Sequence, residues 1–184
     1  MPLSPSLIAE MERIMANFIE KKPTELTENV FYEIGTRWML LTAYDPANDR
    51  VNAMTASWGG MGVLWNRPVL FAFVRPQRYT YGLLNDADAC SACFLEDGHR
   101  AALQICGTKS GRDTDKITES GLTPVELGGV WGFAEALRVM KLKKLFVADM
   151  EKANFLDPTL LKNYPADDYH RVYVYEIETV YETE

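Results

Sequence analysis

Two short stretches of the chain combine small residues, hydroxyls, amides and a fixed cation in a way that ordinary core does not require. The first, Asn52-Ala53-Met54-Thr55-Ala56-Ser57-Trp58-Gly59-Gly60, closes an apolar run. Its small residues let the backbone come close to a ligand, and Thr55 and Ser57 add hydroxyl donors. The second, Arg75-Pro76-Gln77-Arg78-Tyr79-Thr80, follows the next apolar run and sets guanidinium groups beside hydroxyls. The interval from Thr55 to Arg78 is long enough for a turn and a returning strand, which brings the two ends together. A guanidinium beside hydroxyls and amides suits a phosphate monoester, because it stays charged and binds oxyanions through parallel hydrogen bonds. A polar strand end next to a surface arginine has the same residue types, so on these grounds alone both readings stand.

Other chemistries are excluded by spacing. Gly60-Met61-Gly62-Val63-Leu64-Trp65 begins like a dinucleotide fingerprint but ends in Trp where a third Gly must pack helix on strand. Gly107-Thr108-Lys109-Ser110 lacks the upstream Gly of a phosphate-binding loop and separates Gly from Lys. Cys90, Cys93, His99 and Cys106 only approximate a zinc-binding spacing. Strand alternation through Cys90–Leu95 sends Cys90 and Cys93 to opposite faces, so they are expected to be small buried hydrophobes and no metal is expected. With two histidines and no Gly-x-Ser-x-Gly, a serine-based triad has no support. His170, following Asp167-Asp168-Tyr169, is the one catalytic candidate, against the alternative of a strand-end histidine bonded to a carboxylate.

The elements that must position these residues read as mostly β. Val30 onward breaks into short apolar runs: Arg37 to Tyr44, Val51 to Trp58, Val69 to Arg75, Ala89 to Leu95 and Tyr169 to Val180, separated by turn signals such as Asp45-Pro46-Ala47-Asn48-Asp49. Short helices are expected at Thr80–Asn85 and Asp157–Asn163. Gly107–Gly121 reads as a long polar loop, and Gly132–Met150 is ambiguous between strand and helix. Leu7, Ile8, Met11, Ile14, Met15, Phe18 and Ile19 trace one face of an amphipathic helix over Ser6–Lys22. No linker or repeat divides residues 1–184, so one domain is expected, with residues 1–22 as a helical extension. At 184 residues the chain can bury about two-thirds of its unfolded surface. A net charge of −7 argues against nucleic acid as a partner. Apolar runs too short to span a bilayer, together with an odd count of three Cys, place the chain in the cytoplasm.

The sequence resembles the flavin reductase-like family, FMN-binding proteins of the split-barrel fold that include flavoredoxin-type members. Three segments support this: Asn52–Ser57, Arg75–Thr80, and Ser110-Gly111-Arg112-Asp113-Thr114-Asp115-Lys116 followed by Gly121-Leu122-Thr123. The ending Asp168-Tyr169-His170-Arg171 is similar as well. The resemblance implies a six-stranded antiparallel Greek-key split β-barrel with short flanking helices, working as a homodimer around FMN. It implies that Asn52, Ala53, Met54, Thr55, Ala56 and Ser57 line the flavin ring and ribityl chain, with Trp58 beside them. Arg75, Arg78, Tyr79 and Thr80 would serve the phosphate end, and Lys116 would stand in a loop near the flavin. The expected reaction is hydride transfer from NADH or NADPH to flavin, a chemistry in which the cofactor reacts and the protein positions it. The alternatives are an electron-transfer flavoprotein reduced by a protein partner and a non-enzymatic FMN-binding or sensing module. For capture of the nucleotide, Lys109, Arg112 and Lys116 are the candidate basic cluster.

Overall fold

A computed structural model describes Arg13, Met15 and residues 17–183. The described residues form ten strands in two antiparallel sheets, where six strands were expected. The apolar runs after Val30 become the framework. Strand β1 (Phe18–Lys21) precedes a helical turn α1 (Val30–Tyr32) that continues through Glu33–Arg37. Next come β2 (Met39–Asp45) and β3 (Arg50–Ala56), a hairpin in register from Met39↔Ala56 to Asp45↔Arg50. Strands β4 (Gly59–Leu64) and β5 (Arg67–Val74) are joined by Trp65 and Asn66, both at positive φ (52° and 59°), as a two-residue hairpin turn demands. Then follow α2 (Tyr79–Asp86), β6 (Ala89–Leu95), α3 (Arg100–Thr108), α4 (Lys116–Ser120), and a small hairpin of β7 (Pro124–Leu127) and β8 (Val130–Phe133). Two long strands, β9 (Ala136–Asp149) and β10 (Arg171–Thr183), complete the main sheet.

The main sheet runs β3-β2-β6-β9-β10-β5-β4, with β1 added to β10. Register shifts in the β9–β10 ladder at Val174/Tyr175 and Ile177/Thr179 add local bend and twist. The sheet curls until β3 comes near β5, yet no ladder closes it. Alternation along the strands separates two apolar clusters. One contains Leu41, Met54, Leu70, Ala72, Cys90, Phe94, Tyr173 and Tyr175. The other contains Leu40, Ala53, Cys93, Leu103, Cys106, Ile117, Phe133 and Val139, and seats α3, α4 and the β7–β8 hairpin. Cys90 and Cys93 fall in different clusters, on opposite faces of β6 as alternation requires.

Three expectations need correction. Phe18–Lys21 is a strand, because pairing Phe18↔Thr183 through Lys21↔Val180 satisfies its backbone on the edge of β10 and overrides a helical apolar spacing. The earlier part of the expected helix lies outside the described residues, apart from Arg13 and Met15, which are helical. The stretch expected as a loop over Gly107–Gly121 contains the end of α3 and all of α4. The Asp115 side chain caps α4 by accepting from Thr118 N, and Gly121 ends it at φ 71°. The ambiguous stretch after Gly132 is β9, whose first half is enclosed between β6 and β10. No helix among the described residues is long and apolar enough to cross a membrane.

Candidate functional site

The open seam of the sheet is where the two chemical stretches meet. The end of β3 and the Ser57-Trp58 bend face the turn after β5 and the start of β10. Together they frame a cleft of about 400 Å³ lined by Met54, Thr55, Ala56, Ser57, Trp58, Phe73, Arg75, Gln77, Arg78 and His170. A smaller hollow of about 120 Å³ adjoins it across Gln77 and Arg78, walled by Tyr79, Thr80, Thr108, Lys109, Ser110 and Lys116. The expected juxtaposition of Thr55 and Arg78 is therefore real.

The electrostatics of the smaller hollow are unusual. Arg78 donates from Nη1 to Gly107 O at 2.7 Å and from Nη2 to Cys106 O at 3.4 Å. Lys116, 3% exposed, donates to Cys106 O at 3.3 Å and Lys109 O at 3.4 Å. Neither forms an ion pair with a carboxylate among the described residues. Burial pushes the Lys116 ammonium down to about 8, with Arg78 lowering it further and Cys106 opposing, and burial likewise draws Arg78 below its ordinary range. Two desolvated cations side by side, answered only by carbonyl dipoles, are costly unless an anion joins them.

Each remaining residue of the two stretches has a definite place. Asn52 and Thr80 are both buried and bonded to each other, Nδ2 to Oγ1 at 2.8 Å. Thr55 donates to Leu103 O at 2.5 Å, which ties β3 to α3. Ala53 faces the second apolar cluster, away from the cleft. Tyr79 donates to Asp45 at 2.7 Å, and the Arg112 guanidinium lies 5.2 Å from its ring centre. Trp58 is half-exposed, its ring 5.3 Å from that of His170. Arg75 lines the cleft, but its Nη groups go to Asp168 at 2.6 Å and Asn163 O at 2.7 Å, so its charge is already answered. Of the basic cluster, Lys109 pairs with Glu119 and Arg112 donates to Gln77 O at 3.1 Å, leaving Lys116 as its desolvated member.

Sequence reasoning missed several contributors. Phe73 enters because alternate residues at the end of β5 face the cleft, and Gln77, within the stretch singled out but given no role there, lines it from the following turn. Tyr164 and Asp168 come from the segment before β10 and engage His170 and Arg75. Gly111 carried a signal that went unused. A Cβ there would fall against Asn52 Oδ1 and 2.8 Å from Tyr79 Cδ1, so only glycine lets the loop press onto the Asn52–Thr80 pair.

The curled antiparallel sheet therefore joins an aromatic cleft to a cationic hollow at its open seam. The flavin reductase like domain matches residues 31–183, and the chain belongs to that family. Solved structures agree in fold. The FMN-binding domain of a flavin reductases-like enzyme from Shewanella baltica OS155 superposes with a TM-score of 0.66 at 13% identity, over 91% of this chain and 78% of that one. An FMN-binding protein from Thermus thermophilus, solved with bound p-hydroxybenzaldehyde, gives 0.61 at 25% identity over 89% and 81%. Flavoredoxin of Desulfovibrio vulgaris (Miyazaki F) gives 0.63 at 22% over 89% and 77%. No curated protein matches the chain by sequence.

Proposed function

We propose that the chain binds FMN in this cleft and acts as an NAD(P)H-dependent oxidoreductase of the flavin reductase type, as a cytoplasmic homodimer. The observation that supports this most is the pairing of half-buried Arg78 with buried Lys116, two cations hydrogen-bonded only to carbonyls, which suits an anion of the size and charge of a phosphate monoester. In this reading Arg78, Lys116 and Thr80 hold the phosphate, while Met54, Thr55, Ala56, Ser57 and Trp58 flank the ribityl chain and ring. The Asn52–Thr80 bond keeps the Thr80 hydroxyl oriented toward the hollow. Bound FMN supplies a ring that accepts and returns a hydride, which is why the cleft needs no nucleophile or metal. The protein's part is to position that ring, leave one face open to a nicotinamide and limit water elsewhere. An apolar groove beside the cleft, lined by Phe31, Ile34, Trp58 and Met61, offers a wall that a second copy of the chain can cover.

The test is anaerobic. Protein loaded with FMN is mixed with NADH or NADPH, and the flavin absorbance should bleach at a rate proportional to nucleotide concentration. Light scattering should give about twice the 20.9 kDa chain mass. Stoichiometric FMN that neither nucleotide reduces would replace this reading with electron transfer from a protein partner. Failure to bind FMN at all would remove the cofactor assignment.

A further inference from the structure

His170 immediately precedes β10 and lines the cleft, yet it is only 7% exposed, and its surroundings decide which ring nitrogen holds the proton. Its Nδ1 lies 2.9 Å from the Tyr164 hydroxyl. Among the described residues that hydroxyl has one other neighbour able to accept, Met150 Sδ at 3.8 Å. A phenol has a single proton to donate, and an imidazole nitrogen at 2.9 Å is much the stronger acceptor. The Tyr164 ring is held in turn, edge-on to His170 at 5.5 Å and with the Arg75 guanidinium 5.1 Å from its centre. The carboxylate that would otherwise orient the imidazole, Asp168, accepts at Oδ2 from Arg75 at 2.6 Å and Gln77 at 2.5 Å, and its buried Oδ1 makes no hydrogen bond to His170 or to any other described group.

We propose that Tyr164 is a positioning residue that donates to His170 Nδ1 and so places the imidazole proton on Nε2, offering the cleft an uncharged N–H donor for a carbonyl or carboxamide oxygen. The ligand half of this inference rests on the flavin reading, since the acceptor would belong to a planar molecule lying against the bound ring. The tautomer half stands without it.

The charged groups facing His170 are Arg75, from the turn after β5, and Asp168, two residues before it in the chain; Trp58, Phe73 and Tyr164 complete its surroundings. Burial, with Arg75 adding and Asp168 opposing, holds the imidazole near 4, far below the usual 6.5. Protonating Nδ1 would also turn a donor against the Tyr164 O–H. Both effects keep the ring neutral across the physiological range, so it suits an uncharged oxygen better than a carboxylate.

Long-range proton–nitrogen NMR of the full chain tests this directly, because His99 is the only other histidine and His99→Gln assigns the pair. Wild type should show His170 as the Nε2–H tautomer, unchanged from pH 8 to pH 5. Tyr164→Phe, with circular dichroism as the check on folding, should give a mixture of tautomers. A wild-type Nδ1–H ring, an ordinary titration near 6.5, or an unaltered pattern in Tyr164→Phe would each overturn the positioning role. In FMN-loaded protein, nicotinamide should shift the Nε2–H resonance, and Tyr164→Phe should raise its Kd about threefold to tenfold, the scale of one neutral hydrogen bond. A resonance that nicotinamide leaves unmoved would refute the carbonyl acceptor. In the His170→Gln background Tyr164→Phe should change the nicotinamide Kd no further; a second loss there would make Tyr164 merely structural. Protein that takes up no FMN would refute the cofactor reading while leaving the tautomer result in force.

Discussion

Replacing Lys116 with methionine keeps most of the side-chain volume and removes a charge that burial disfavours. The fall of its pKa from 10.5 to about 8 corresponds, at roughly 1.4 kcal/mol per unit, to about 3 kcal/mol against holding the charge in the unliganded protein. The two hydrogen bonds lost, to Cys106 O at 3.3 Å and Lys109 O at 3.4 Å, are long and together worth roughly 1–2 kcal/mol. Lys116→Met should therefore stabilise the unliganded chain by about 1–2 kcal/mol at pH 7, raising its midpoint by roughly 2–8 °C. The sign with pH follows from linkage. The folded pKa lies below the unfolded one, so the penalty is fully present below pH 8 and fades as pH rises toward 10.5. The advantage of the variant should shrink over that window. Binding should move the opposite way: loss of one charged contact weakens FMN by about 1.5–3 kcal/mol, roughly 10- to 150-fold, and leaves riboflavin within twofold. Thermal unfolding of flavin-free protein and titration calorimetry with both flavins measure the two halves. A variant that is less stable without ligand, or that loses FMN and riboflavin equally, would refute the argument that this cation awaits a phosphate.

Three further outcomes follow from packing and charge. Arg138, 1% exposed, is paired with Glu28, Glu33 and Glu182, so Arg138→Met leaves buried Glu33 with Arg37 alone and Glu182 with Lys21 alone, and should cost about 1.5–3 kcal/mol in urea unfolding at pH 7. Gly111→Ala should weaken FMN while leaving the fold intact by circular dichroism, because the new methyl displaces Asn52 from Thr80; unchanged affinity would show that this pair does not serve the hollow. Cys90 and Cys93, pushed by burial up to about 12 and about 11, should resist thiol reagents until the protein unfolds, and rapid labelling of the native chain would contradict their placement.

What the sequence determined by itself was local and periodic. Short apolar runs between turn signals located β2, β3, β5, β6 and the final strand, and alternation through Cys90–Leu95 put Cys90 and Cys93 on opposite faces, because a strand's two-residue period depends on nothing beyond the strand. Residue chemistry marked Asn52–Trp58 and Arg75–Thr80 as a binding pair, and the sheet joins them across its open seam. Tertiary structure decided the rest. Phe18–Lys21 has a helical apolar spacing but pairs with β10, since an unsatisfied strand edge outweighs a weak local propensity. Arg75 and Arg78 are alike in sequence and opposite in role. Asp168, far along the chain, neutralises the first, whereas the second is half-buried beside Lys116 and hydrogen-bonded only to carbonyls. Tyr164 lies in a stretch without apolar alternation, and nothing local in the sequence distinguishes it. Its contact with His170 forms where the segment between Pro158–Asn163 and β10 brings the two side chains together. Charge compensation and tautomer choice are properties of neighbours brought together by the fold, which is why residue types identified the candidates and only the packed structure assigned their chemistry.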